Sequence, residues 1–155
     1  MKAVRKMEHG LGHVACVDIP EPEVKPGFIK IKVEYCGICG TDDHIVRHGL
    51  ETPQGLNLPV TLGHEYSGTI VEVGEGVKDF KVGDRVGIRA YMAGCDTKDL
   101  PRCRYCAEGN YNLCLNYGAK PRFELEWTGA GWGDSFIAPQ QQLYRISDEL
   151  TIDQA

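Results

Sequence analysis

Apolar and polar residues alternate most regularly at Ile29-Lys30-Ile31-Lys32-Val33-Glu34-Tyr35, the period of a half-buried β-strand. The odd-numbered side chains are expected to face a core, and the same phase puts Cys36 in the outward set. Pro20, Pro22, Pro26 and Gly27 punctuate the chain before this run, as residues that set turns do. Met1 to Lys6 and Val14 to Ile19 read as partner strands. Tyr66 to Val73 and Arg85 to Ile88 add two more, joined by a connector with Gly74, Gly76 and Gly83, residues suited to tight turns with φ > 0. Helix is minor: Asp42 to Arg47 with Thr41 as N-cap, and Arg104 to Glu108 before Gly109. Short antiparallel strands with few helices predict a mainly β fold, laid out as a small barrel.

Composition narrows the class. A chain of 155 residues, 42% hydrophobic and 25% charged, has enough apolar surface for one soluble domain with its own core, and no boundary is expected inside 1–155. Thr151-Ile152-Asp153-Gln154 has the form of a capping box, which announces a helix as the chain stops. The expectation is therefore an amino-terminal part of something longer. A net charge of −5 provides no broad positive field, which argues against nucleic acid or an anionic membrane as partner. No apolar run approaches the roughly 18 residues that span a bilayer, and Met1-Lys2-Ala3-Val4 does not open a secretory signal. Small molecules are the expected partners and the cytoplasm the expected compartment. Seven cysteines, clustered rather than spread, point to metal binding by reduced thiols.

The densest chemistry is Cys36-Gly37-Ile38-Cys39-Gly40-Thr41-Asp42-Asp43-His44, followed by Gly63-His64-Glu65. Together they offer thiolate, imidazole, hydroxyl and carboxylate for one zinc-centred site, and a catalytic zinc keeps one tetrahedral position open. Cys39 and His64 both stand at strand ends beside glycines and can project into one cleft. Spacing alone leaves a structural role open for each, since a buried cysteine often serves as a small apolar residue. Cys36 competes as a thiol, because Cys36-x-x-Cys39 can itself clip zinc or do redox chemistry.

These residues resemble the amino-terminal, GroES-like catalytic domain of the zinc-dependent medium-chain alcohol dehydrogenases, in particular the polyol, sugar and threonine dehydrogenase branches. The family signature is Gly-His-Glu, a glycine three residues on, then a further glycine and a small apolar residue. Gly63-His64-Glu65-Tyr66-Ser67-Gly68 with Gly74 and Val77 fits it. The Cys36 to Asp42 run and Gly83-Asp84-Arg85-Val86 fit as well, so the resemblance covers nearly the whole chain. It implies a GroES-like, partly open β-barrel with short helices and a cysteine-rich zinc lobe. It also implies that Cys39 and His64 bind a catalytic zinc, with Glu65 as a direct or nearby carboxylate and Asp42 as the acceptor that orients His64. Thr41 and His44 would form a relay. Zinc acidifies an alcohol, the Thr41 hydroxyl takes the proton, His44 passes it toward solvent, and a hydride leaves for a nicotinamide. The bland alternatives are a helix cap for Thr41 and a solvated helix residue for His44. His48 has no matching role and is expected at the surface.

A second, structural zinc is suggested by Cys95, Cys103, Cys106 and Cys114, since closed four-cysteine sites leave no open position. The family lobe spaces its thiols C-x₂-C-x₂-C-x₇-C. The last three cysteines obey this, but seven residues separate Cys95 from Cys103, and Leu100 stands where the pattern has its first thiol. Cys95 is the expected fourth ligand, reached by looping out polar residues at little entropic cost; Asp99 is the substitute. No G-x-G-x-x-G opens a helix after a strand, and Gly74-Glu75-Gly76 fails because Asp79 stands at the last glycine. In the family, the dinucleotide domain and a further zinc ligand come beyond this point. The expectation is therefore one catalytic half of an NAD- or NADP-dependent dehydrogenase acting on a secondary alcohol, polyol, sugar or amino-alcohol. It is expected to be inactive alone, and the full-length protein to be a homo-oligomer. A free-standing zinc-stabilised binding or scaffold module is the alternative, and a zinc-free reductase-like relative a third. The stretches His48 to Leu58 and Tyr117 to Trp132 are expected to shape the substrate cleft, with Trp127 or Trp132 lining it or packing.

Overall fold

The computed structural model describes residues 1–48, 58–89, 95, 101–116 and 130–155. Strands β1 (Lys2–Lys6), β2 (Val14–Asp18) and β4 (Val60–Thr61) form one sheet in the order β2-β1-β4. Strands β3 (Phe28–Cys36), β5 (Tyr66–Val73), β6 (Arg85–Ile88), β7 (Ser135–Pro139) and β8 (Leu143–Arg145) form a second in the order β7-β3-β5-β6-β8. All pairs are antiparallel. Among the described residues the helical elements include α1 (Gly40–His48), α2 (Arg104–Ala107) and single 3₁₀ turns at Tyr111–Leu113, Gln140–Gln142 and Ile152–Gln154, and Cys95 is also helical. Among the described residues no helix is long and apolar enough to cross a membrane.

The core follows from the alternation. Ile29 and Ile31 of β3 are fully buried and meet Ile70, Val86, Phe136, Ala138 and Leu143 from the four other strands of that sheet. Burying one such isoleucine contributes about 1.5–3 kcal/mol, so β3, flanked by β5 and β7, is the central element. Residues 131–134 then stitch the two sheets together. Trp132 accepts from Val4 N–H and donates to Leu62 C=O, while Asp134 donates to Lys2 C=O and accepts from Val33 N–H. The result is a curled, half-closed barrel, with its backbone polar groups paired across the seam as burial requires.

The expected phase of β3 fails at its end. The pairing with β5 runs Val33↔Gly68 and then Tyr35↔Ser67, so Glu34 is an extra residue, a β-bulge that inverts the alternation. Tyr35 is therefore 53% exposed, and Cys36 turns inward to half-burial instead of joining the outward set. Gly68 permits this: a Cβ there would lie 2.1 Å from the Lys32 carbonyl oxygen. The helix expected over 42–47 starts two residues earlier, at Gly40. Thr41 is thus inside the first turn and not its cap.

At the carboxyl end, the Gln154 side chain accepts from the Thr151 backbone N–H at 3.0 Å, and one 3₁₀ turn follows from the capping box.

Candidate metal centre

Two loops that are distant in sequence are brought together by one buried carboxylate. Asp42, in the first turn of α1, is 1% exposed. Its Oδ2 accepts from the Cys39 backbone N–H at 3.0 Å, immediately before the helix, and its Oδ1 accepts from the Gly63 N–H at 3.1 Å. The same Oδ1 lies 3.5 Å from Nδ1 of His64. Asp42 therefore fixes the residue carrying the thiol and the residue before the imidazole, and its carboxylate stands beside the imidazole itself. A second tie runs from Gly37 N–H to Glu65 C=O at 2.7 Å.

Glycine at position 63 is required by the same packing. Its φ is +86°, a region that L side chains enter only with strain. A Cβ there would also meet Trp132 Cδ1 at 2.4 Å and Cys36 Sγ at 2.9 Å. With this turn in place, Cys39, His64 and Glu65 each offer a ligand atom, all within 4.8 Å of one another. Nδ1 of His64 lies on the Asp42 side of the ring, which leaves Nε2 available as the ligand atom. Sulfur, imidazole nitrogen and carboxylate oxygen around a gap of this size are a donor set suited to zinc, and a carboxylate behind the imidazole is the usual support for a metal-bound histidine. An open groove of about 700 Å³ adjoins His64 and Glu65 and is walled by Tyr35, Tyr66, Tyr144 and Leu150.

Of the two proposed relay residues, Thr41 lies beside the group, its Oγ1 3.7 Å from Cys39 Sγ. His44 does not belong to the group. It is exposed on α1, one turn beyond Thr41, with its ring next to that of His48. Cys36 also stays outside the ligand set. Burial pushes its thiol up to about 11, against a partly opposing hydrogen bond from the Glu65 backbone. Tyr66, packed edge-on to Phe136 with ring centres 4.2 Å apart, has its hydroxyl pushed above the ordinary range by burial and then by Cys36. Trp132 packs over Gly63, and its Nε1 donates to Gly37 C=O at 3.4 Å. Its part in holding the Gly63 turn was missed by sequence reasoning. The available signal was the Gly131-Trp132-Gly133 triplet, since a Cβ at Gly131 would collide with Tyr66 and Cys36.

A second group forms in the lobe. One ligand atom from each of Cys95, Cys103, Cys106 and Cys114 lies within 4.8 Å of the others. Cys95, Cys106 and Cys114 are buried, and all seven cysteines of the chain are unpaired thiols. The structure thus places Cys95 with the other three. Leu100, the substitute Asp99 and Trp127 lie outside the described residues, as does most of both stretches expected to shape the cleft. Nitrogen donors aim at the sulfurs: Cys103 N–H at 3.3 Å and Asn116 Nδ2 at 3.1 Å both donate to Cys95 Sγ. The Cys103 thiol is pulled down to about 6, first by the Cys106 backbone N–H and then by that of Leu115. Burial works against ionisation of Cys114, but the amides of Cys95 and Asn116 and the neighbouring sulfurs bring it down overall. Cys106 is pushed up, by burial first and then by the sulfurs of Cys114, Cys103 and Cys95. Four sulfurs this close release their protons as a coupled set. A divalent cation is the natural replacement for those protons.

Comparison with known proteins identifies the family and the fold. The family profile described as "Alcohol dehydrogenase GroES-like domain" matches residues 25–148. The chain is 47% identical to a sorbitol dehydrogenase of Halalkalibacterium halodurans over 114 residues, covering 74% of this chain and 31% of that protein. It is 36% identical to an (R,R)-butanediol dehydrogenase of Bacillus subtilis over 162 residues, covering 99% of this chain and 42% of the relative. Among solved structures, the 2R,3R-butanediol dehydrogenase from Bacillus subtilis superposes with a TM-score of 0.75 at 35% identity, over 99% of this chain and 42% of that one. A putative zinc-binding dehydrogenase from Sinorhizobium meliloti, bound to NADP, gives 0.71 at 33% identity, over 97% of this chain and 40% of that one. The chain thus spans less than half the length of these relatives.

Proposed function

The chain belongs to the alcohol dehydrogenase GroES-like domain family, and from that premise we propose that it is the metal-binding catalytic domain of a zinc-dependent dehydrogenase. The reaction is oxidation of a small alcohol, polyol or sugar, with NAD or NADP as hydride acceptor. The nicotinamide is held by a part of the enzyme outside these 155 residues, a reading supported by the 31% and 42% coverage of the relatives. Residues 1–155 form one catalytic domain in this reading, in a homo-oligomer. Seven thiols without a disulfide suit a reducing cytoplasm.

The carrying observation is the convergence of Cys39, His64 and Glu65 under the control of Asp42. These three residues would hold the catalytic zinc, which when bound supplies a Lewis acid that makes a hydroxyl easier to deprotonate. Asp42 stands on the Nδ1 side of His64 and leaves Nε2 available as the ligand atom. Thr41 presents a hydroxyl beside Cys39 that can accept and pass on the substrate proton. His44, exposed one turn along α1, takes that proton to solvent. The groove beside His64 and Glu65 supplies space for a small organic molecule. Cys95, Cys103, Cys106 and Cys114 would hold a second, closed zinc that keeps the lobe folded.

Metal analysis of the chain purified without chelator tests this reading. The expected content is two zinc ions, with His64→Ala and Cys39→Ala each losing one and keeping the lobe ion. A scaffold module would hold the lobe ion alone and be indifferent to His64. That result overturns the dehydrogenase reading.

A further inference from the structure

α1 ends in two imidazoles, of which the proposed proton path uses only one. His44 and His48 are four residues apart on a nine-residue helix, so one lies about a turn beyond the other on the same face. Both are exposed, with ring centres 5.0 Å apart and planes tilted by 45°. With metal–nitrogen bonds of about 2.0–2.1 Å, two imidazoles sharing one tetrahedral ion have ring centres about 5 Å apart. Two histidines at this helical spacing are a recurrent chelating pair.

The charge around the pair also suits a cation. Arg47, next to His48 in sequence, donates from Nε to Asp43 Oδ1 at 2.6 Å, so its charge is balanced. His48 lies in the last turn, where the helix dipole favours positive charge. Neither histidine belongs to the Cys39 group or to the cysteine lobe.

We propose that His44 and His48 form a bidentate surface site for a divalent transition-metal ion such as zinc or nickel, distinct from the two centres above. With only two protein ligands, the remaining positions go to water and the ion exchanges readily. Occupancy ties up the His44 ring and so blocks the exit of the substrate proton. This consequence, unlike the binding itself, rests on the proton-path reading given above.

Ni²⁺ titration of the ¹⁵N-labelled 155-residue chain, pre-equilibrated with zinc, tests the site through the imidazole resonances. His44 and His48 are expected to broaden together, at lower Ni²⁺ than His9 and His13. His48→Gln should weaken the response of His44 about tenfold, because the second imidazole no longer acts intramolecularly. His44→Gln should weaken that of His48 equally. An unchanged Ni²⁺ dependence of His44 in His48→Gln, or broadening of His9 first, overturns the site. Either failure leaves the zinc content expected at Cys39, His64 and Glu65 untouched, so the two readings fall separately.

Discussion

Replacing Asp42 by asparagine isolates what the buried carboxylate contributes. The side chain keeps its shape but loses one of its two acceptor oxygens, so the N–H of either Cys39 or Gly63 faces an amide NH₂. A hydrogen bond to a charged group is worth about 1.5–3 kcal/mol, and a buried donor left unpaired costs about 1–3 kcal/mol. These overlap, and a net loss of about 2–4 kcal/mol is expected. For a chain of this size each kcal/mol shifts Tm by about 2–4 °C, which puts the shift near 5–15 °C. Zinc affinity at the Cys39 group should fall about 10- to 100-fold, because the His64 ring loses its anionic support. Urea denaturation with and without chelator reads the first quantity, and competition with a chromophoric chelator reads the second. Asp43→Asn is the control: it removes only an exposed, solvent-screened i,i+4 pair with Arg47 and should leave both readings near those of the parent chain. If Asp42→Asn matches that control in both measurements, the carboxylate does not organise the site.

Gly63→Ala must accept φ +86° and a Cβ inside contact distance of Trp132 and Cys36. Strain and overpacking together should cost about 2–5 kcal/mol in a denaturation midpoint, and loss of His64-dependent zinc should accompany it. Cys106→Ser, at the most buried lobe sulfur, should release one equivalent of zinc in metal analysis and lower Tm by more than chelation lowers that of the variant. At pH 8 the Cys36 thiol, held near 11 by burial, should be alkylated about tenfold or more slowly than the exposed Cys16 in peptide mapping. Because its folded value is raised, the stability it lends is complete below 9 and is lost as pH climbs toward 11; Cys36→Ala should flatten that decline in a pH series of urea midpoints.

How much of this was legible in the chain depends on whether local pattern and long-range contact agree. The strands at 66–73 and 85–88 coincide with their sequence ranges because one face of each packs on a single core. The phase of Cys36 could not be read that way. Its inversion depends on the approach of the Lys32 carbonyl to Gly68 on another strand, and the period of β3 alone carries no trace of it. Thr41 was the natural cap by residue type. Asp42 instead reaches back to the Cys39 N–H, and its second oxygen is engaged by Gly63, twenty-one residues away. Cys95 was ambiguous because spacing measures chain length, whereas a ligand is chosen by where its sulfur ends up.

The residues of the Gly-His-Glu motif were recognisable for a reason that the packing makes explicit. Gly63 is needed for a backbone turn that also lets Trp132 and Cys36 close in, and Asp42 is needed by two backbone amides as well as by the His64 ring. Each therefore serves the fold and the ligand group at once. A substitution at either position costs stability and geometry together, which leaves few acceptable alternatives and a compact sequence signature. Thr41 and His44 have no such double duty: one sits beside the group and the other is exposed. Changes there should leave folding nearly intact and act on proton transfer alone. Kinetics in the complete enzyme and denaturation of this domain can thus separate the residues that build the centre from those that use it.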